Sequence, residues 1–293
     1  MSPHGQPLDA GPRPRPFARP RRGEDVRSLV RPGLDVYRHG MCHEPDSAPP
    51  IPPVSGASVS HDDVVLEAAD GNRLAAFVAT PLAPSGAGVI VLPDVRGLYR
   101  FYEEVCLRLA ERGTTALAID YFGRTAGVGK RDDTFPYMDH VAQTTADGLG
   151  RDVAAAEAHL RSDDGGSVTA LFTLGFCFGG RLSWLSAAAG LGLSGAIGFY
   201  GRPGLSRDGA PGPTQRATEI ASPILALMGG DDPGIPQEEI DAFDAALEAA
   251  GVEHDVVTYP GAPHSFFDRK QEEFARESED AWNRVLGFLE RHR

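Results

Sequence analysis

Between residues 62 and 291 the apolar positions follow two rhythms in turn. VVLEA (64–68) and LAAFVAT (74–80) are apolar stretches flanking Asp70-Gly71, a pairing that predicts a β-hairpin. GVIVLPD (88–94) is a short, unbroken apolar run, the signature of a strand covered on both faces. Residues 100–112 change to helical spacing, with Val105 and Leu109 on one side and Gly113 as the stop. The alternation then repeats. TALAIDY (115–121), VTALFTLGF (168–176), GAIGFYG (195–201), PILALMGG (223–230) and HDVVTYP (254–260) read as strands. Helices are predicted at about 145–161, over RLSWLSAAAG (181–190), over EEIDAFDAALEAAG (238–251) and over 271–291, and 122–139 is a Gly-rich charged loop. Strand alternating with helix predicts an α/β protein with a doubly wound, mostly parallel sheet and helices on both faces.

Residues 1–55 break this pattern. They hold GPRPRPFARPRR and a proline cluster at Pro49, Pro50, Pro52 and Pro53, with no apolar period. Such a composition buries too little surface to offset chain entropy, which predicts a disordered extension before a domain at 56–293. Met41 is a second plausible start, which would make residues 1–40 an upstream extension.

Composition narrows the partners. The formal net charge of −13 argues against nucleic acid, and the eight arginines of residues 1–55 are offset by six acids. No apolar run reaches the roughly 20 residues that cross a bilayer, so no membrane association is expected. Cys42, Cys106 and Cys177 form no disulfide framework or metal-ligand spacing, which suits a reducing cytoplasm and a site without metal or cofactor.

The candidate chemistry sits in loops that follow strands, where ligands gather in such sheets. In Gly175-Phe176-Cys177-Phe178-Gly179 a cysteine lies between a predicted strand and helix, framed by glycines. A G-x-S-x-G nucleophile elbow has this layout, with glycines where the tight turn leaves no room for side chains. The competing reading is a structural cysteine at a tight corner. Of nine histidines, His264 in YPGAPHSFFD follows the last strand in a Gly/Pro-shaped loop, and LMGGDDPGIP puts Asp231 and Asp232 after the strand before it. Asp232 is the better orienter for His264, with Asp231 the alternative. The order Cys177, Asp232, His264 is the nucleophile–acid–base order of α/β-hydrolases. Backbone N–H groups of Phe178 and Val95 are placed to hold an oxyanion. Tyr99, Tyr121, Phe122, Phe176, Phe178 and Tyr200 are candidate pocket walls, with Arg96, Arg124 and Arg202 as candidate anion contacts.

GFCFGG, GGDDPGIP and GAPHSFFD, with VLPDVRGLY upstream, resemble the dienelactone hydrolase family over roughly residues 60–291. The resemblance implies an α/β-hydrolase fold with Cys177, Asp232 and His264 as triad, acting through a thioester on a lactone or small ester. The chain would be a monomer or homodimer, with a role in aromatic degradation. It also implies that Asp94 stands where the family has a glutamate beside the cysteine. Arg124 matches a substrate-carboxylate arginine, and Asp268 stands where a second such arginine is usual. A broad carboxylesterase or thioesterase is the alternative, with a non-catalytic binding protein or thiol sensor behind it.

Overall fold

The computed structural model describes residue 1 and residues 48–132, 134–206 and 208–293. Most of the expected N-terminal extension, with Met41 and Cys42, therefore lies outside the described residues.

The hairpin forms as expected from β1 (Val59–Glu67) and β2 (Arg73–Pro81). Its turn is closed by Gly71 at φ 78°, with the Gly71 N–H donating to the Ala68 carbonyl. The chain continues through β3 (Ala87–Leu92), α1 (Arg100–Ala110) and β4 (Thr115–Ile119). Short helices α2 (Gly123–Ala126) and α3 (Tyr137–Val141) punctuate the loop that follows. Then come α4 (Ala146–Arg161), β5 (Ala170–Phe176), α5 (Phe178–Ala187) and β6 (Gly195–Phe199). The last elements are β7 (Ile224–Gly229), α6 (Gln237–Ala250), β8 (His254–Tyr259) and α7 (Ala275–His292).

One sheet of eight strands runs β1-β2-β4-β3-β5-β6-β7-β8. β2 is antiparallel to both its neighbours, and every pairing from β4 to β8 is parallel. β3, β4 and β7 are buried at every position, which is why they read as unbroken apolar runs. The two faces carry different helices. On β3, Val89 and Val91 join the core with Val105 and Leu109 of α1, whereas Ile90 and Leu92 join Val153 and Leu160 of α4. Glycines on β6 let two helices close in from opposite sides. A Cβ at Gly195 would lie 2.4 Å from the Phe288 ring of α7, and one at Gly198 2.5 Å from the Trp184 ring of α5.

Part of the stretch before residue 56 makes contact with the domain. Ile51 is 5 % exposed and belongs to the main core cluster. The Ala48 carbonyl accepts from Gln271 Nε2 at 2.8 Å, and the Val54 N–H donates to Glu111 Oε2 at 2.9 Å. Ala48, Ile51 and Val54 thus touch the domain, while residues 52–55 are exposed.

Candidate active site

Cys177 is the hinge between β5 and α5, with φ 55° and ψ −111°, a conformation that a side-chain-bearing residue adopts only under constraint. The glycines around it explain how the constraint is met. A Cβ at Gly175 would fall 1.9 Å from the Gly179 carbonyl oxygen, and one at Gly179 2.0 Å from that of Leu92. The end of β5, the start of α5 and the end of β3 are therefore in backbone contact, and only glycine fits. The Cys177 N–H donates to the Phe199 carbonyl at 3.0 Å, which continues the β5–β6 ladder one residue past the strand. Cys177 is a free, partly exposed thiol at the first turn of α5. Phe178 opens that helix, so its N–H is among those without a partner in the helix itself. Val95, 3 % exposed, sits in the loop after β3 that abuts the elbow.

The other two triad candidates are joined. His264 Nδ1 lies 2.6 Å from Asp232 Oδ2, a charge-assisted distance, and the Asp232 side chain is almost wholly buried. The second Asp232 oxygen accepts the Gly234 N–H at 2.8 Å, so the carboxylate is held from both sides. A carboxylate only accepts here, so Nδ1 carries the proton and Nε2 is left as the basic nitrogen. Asp231 is exposed and its N–H donates to the Ala262 carbonyl, which ties the acid loop to the histidine loop. Between the alternatives, Asp232 holds the histidine.

Tyr200 follows β6 at φ 37° and packs its ring, tilted by 53°, with its centroid 4.8 Å from that of His264. Its hydroxyl donates to Asp268 Oδ2 at 2.7 Å. Asp268 is 1 % exposed, and burial pushes its carboxyl up to about 8, with the charge of Asp94 adding to the rise and that of His264 opposing it. Ser265, next to the histidine, is a further non-glycine at positive φ, 65°. The sequence alone marks Tyr200 only as a pocket wall and Asp268 only as a place where arginine is absent. The strain at Tyr200 and Ser265 carries no sequence signal.

Asp94 is fully buried at the end of β3. Its Oδ1 accepts the Arg96 N–H at 2.9 Å and its Oδ2 the Arg96 guanidinium at 3.2 Å and 3.3 Å. Arg96 in turn lies 5.2 Å over the Tyr99 ring, and Tyr99 is 4 % exposed. The Tyr121 hydroxyl donates to the Pro93 carbonyl at 2.8 Å, and its ring meets that of Phe178 edge-on at 5.4 Å. Burial holds this hydroxyl well above the usual tyrosine range, and the charges of Asp94, Asp120 and Cys177 add to the effect. Tyr121 thus lies within electrostatic reach of both Asp94 and Cys177.

Three expected substrate contacts are engaged elsewhere. Arg124 grips Asp70 with Nε and Nη2 and reaches Asp152 with Nη1 at 2.5 Å, so it ties the hairpin turn to α4. Phe176 is fully buried and packs against Phe101, Tyr102, Phe199 and Phe267, which makes it core rather than pocket wall. Arg202 is bidentate on Glu239 at 2.6 Å and 3.0 Å. Asp120 at the end of β4, unremarked in the sequence, braces the loop with Val95 by accepting the Leu98 N–H, and holds Arg131 at 2.8 Å.

The dienelactone hydrolase family matches residues 74–293. A carboxymethylenebutenolidase of Rhodococcus opacus is 30 % identical over 275 residues, covering 86 % of this chain and 97 % of its own. An Escherichia coli K12 protein assigned by name to the carboxymethylenebutenolidases is 30 % identical over 256 residues, covering 84 % of this chain and 94 % of its own. A Klebsiella pneumoniae crystal structure assigned by name to the dienelactone hydrolases superposes with a TM-score of 0.69 at 26 % identity, over 79 % of this chain and 98 % of its own.

Proposed function

Because the chain belongs to the dienelactone hydrolase family, we propose that it opens a lactone or cleaves a small carboxylic ester through Cys177, His264 and Asp232, by way of a thioester acyl-enzyme. The observation that carries this reading is the elbow. Cys177 is held at φ 55° by glycines that admit no side chain, beside a strand edge that also bears the His264–Asp232 pair at 2.6 Å.

The chemistry follows from those positions. Asp232 fixes the tautomer of His264, so that Nε2 takes the thiol proton and the Cys177 sulfur attacks the carbonyl carbon. Negative charge then develops on the carbonyl oxygen. The Phe178 N–H at the start of α5 and the Val95 N–H after β3 receive it, and one such donor is worth about 10²–10³ in turnover. The C–O bond breaks, the alkoxide or enolate takes the proton from His264, and in a lactone it stays tethered to the acyl group. Water activated by His264 hydrolyses the thioester and frees the sulfur. A reducing cytoplasm suits a reaction that needs Cys177 as a free thiol.

The test is a panel of lactones and aryl esters run on the wild type and Cys177→Ala together, with iodoacetamide as a second probe. The wild type turns over at least one class, Cys177→Ala does not, and alkylation abolishes turnover in step with loss of the thiol. Activity that survives Cys177→Ala refutes the reading.

A further inference from the structure

Five aspartates are buried among the described residues, and four of them face a basic side chain. Asp94 has Arg96, Asp120 has Arg131, Asp152 has Arg124 and Asp232 has His264. Asp268, 1 % exposed, is the fifth, and among the described residues it has no ion pair. A buried carboxyl without a counter-charge is costly, and burial pushes this one up to about 8, so it stands largely protonated at neutral pH. What it does have is Tyr200. The tyrosine hydroxyl donates to Asp268 Oδ2 at 2.7 Å, and the centroid of its ring lies 4.8 Å from that of His264. His264 and Asp268 flank one tight turn, closed where the Ser265 carbonyl accepts the Asp268 and Lys270 N–H groups, each at 3.2 Å. Tyr200 bridges that turn, with its ring on the imidazole and its hydroxyl on the carboxyl.

We propose that Asp268 is a positioning residue for His264, acting through the Tyr200 hydroxyl to hold the tyrosine ring against the imidazole. The inference deepens the hydrolase reading and rests on it. The Asp232 contact at 2.6 Å fixes Nδ1 but leaves the imidazole free to swing about that point. A second contact on the side of the ring removes this freedom, and a base held in one plane is what the proton transfers need. Tyr200 supplies that contact only if it is itself rigid. Its backbone is pinned, since its N–H donates to the Leu227 carbonyl at 2.8 Å. Phe266 meets the ring edge-on at 5.7 Å, and Asp268 secures the far end. A phenylalanine would fill the same space without a buried carboxyl, so packing alone does not account for the pair. The neutral state suits the role. The charges that act on Asp268 are those of Asp94 and His264. Were Asp268 ionised, a second carboxylate would hold the imidazolium proton that the leaving group must receive. A protonated carboxyl steadies the ring without that pull.

The test compares the wild type with Tyr200→Phe, Asp268→Leu, the double variant and Asp268→Asn. Each is assayed on an ester or lactone that the wild type turns over, with kcat expressed per folded molecule from urea unfolding. Tyr200→Phe lowers kcat at least about tenfold and leaves KM within about twofold, since the base is loosened rather than the pocket emptied. Asp268→Leu does the same, and the double variant loses no more than the worse single one, because both cut one contact. Asp268→Asn, whose amide still offers Tyr200 a hydrogen bond, recovers most of the loss. Proton NMR reads the imidazole without turnover. The His264 Nδ1–H resonance, identified by its absence in His264→Gln, shifts or broadens in Tyr200→Phe and Asp268→Leu but not in Asp268→Asn. Wild-type kcat in Tyr200→Phe, an unmoved resonance, or losses that multiply in the double variant each overturn the inference while leaving the hydrolase reading intact. A wild type that turns over nothing beyond the Cys177→Ala level sinks the hydrolase reading instead, and the resonance then decides the positioning by itself.

Discussion

Replacing Asp268 by asparagine gives the sharpest quantitative test of the site's electrostatics. The carboxyl is 1 % exposed, its Oδ2 accepts the Tyr200 hydroxyl at 2.7 Å, and its other oxygen accepts the Arg269 N–H. Burial raises it from 3.8 to about 8. In the unfolded chain the group loses its proton near its ordinary value, whereas the folded protein keeps that proton until about pH 8. Across that window the native state binds more protons than the unfolded one, so stability falls as pH rises. Below the window the group contributes no penalty, and above it the penalty is complete. A one-proton difference between the two states changes stability by about 1.4 kcal/mol for every pH step of one, so the span from about pH 5 to pH 8 amounts to about 4 kcal/mol.

Asparagine keeps the shape and cannot ionise. It costs about 1 kcal/mol where the amide replaces a well-made hydrogen bond, and that cost does not vary with pH. The stability of Asp268→Asn relative to wild type should therefore improve by about 4 kcal/mol between about pH 5 and pH 9, and the variant becomes the more stable protein at the alkaline end. Urea unfolding at several pH values reads this directly. With a slope of about 2–3 kcal/mol per molar urea, the midpoint difference moves by about 1.5 M. Other carboxylates titrate in both proteins and cancel in the difference. A difference that stays constant within about 1 kcal/mol across this range refutes the claim that Asp268 is held protonated in the fold.

Two further substitutions probe the elbow and the histidine. Gly179→Ala places a Cβ 2.0 Å from the Leu92 carbonyl oxygen and 2.3 Å from that of Pro93, so α5 must move away from β3. The expected result is at least about 100-fold lower kcat in whatever protein folds, since the two proposed oxyanion donors, the Phe178 and Val95 N–H groups, lie on the segments that meet there, and near-normal kcat would show that the contact is not required. Asp232→Asn keeps the bond length to His264 but allows the wrong tautomer, and kcat should fall by about 10³–10⁴ with little change in the unfolding midpoint. A fall of less than tenfold would move the orienting role to another group.

The fold was legible because its strands obey a simple rule. β3, β4 and β7 are covered on both faces, and each reads as an apolar run bounded by turn residues. Cys177 was legible for a related reason: the glycines that make room for it lie within two residues of it. What stayed hidden depends on partners far away along the chain. Arg124 looks like a free arginine after β4, and only the fold brings Asp70, 54 residues earlier, against it. Tyr200 and Asp268 are 68 residues apart and meet only at the sheet edge. Phe176 sits beside Cys177 in sequence, yet strand alternation turns it inward to the aromatic core. Ile51 is a lone apolar residue among prolines, with no period to announce that it is buried.

The strained residues of the site share a construction that explains how their strain persists. Cys177, Tyr200 and Ser265 have positive φ, a cost of about 1–3 kcal/mol each. In two of the three the N–H reaches the neighbouring strand beyond the regular ladder: Cys177 donates to Phe199 at 3.0 Å and Tyr200 to Leu227 at 2.8 Å. The pattern continues across the edge, where Gly230 donates to Tyr259 and Asp231 to Ala262, both at 2.9 Å. Each loop is thereby pinned by its first residue to the backbone of the next strand before it turns. Ser265, in turn, is held by the Asp268 and Lys270 N–H groups, which donate to its carbonyl. Cys177, the Tyr200 ring and the His264–Asp232 pair are therefore fixed to one another through β5, β6, β7 and β8 rather than through contacts among their side chains alone. A backbone shift at any one of these edges should move the sulfur and the imidazole together. That makes the parallel sheet the element that sets the geometry of the proposed site.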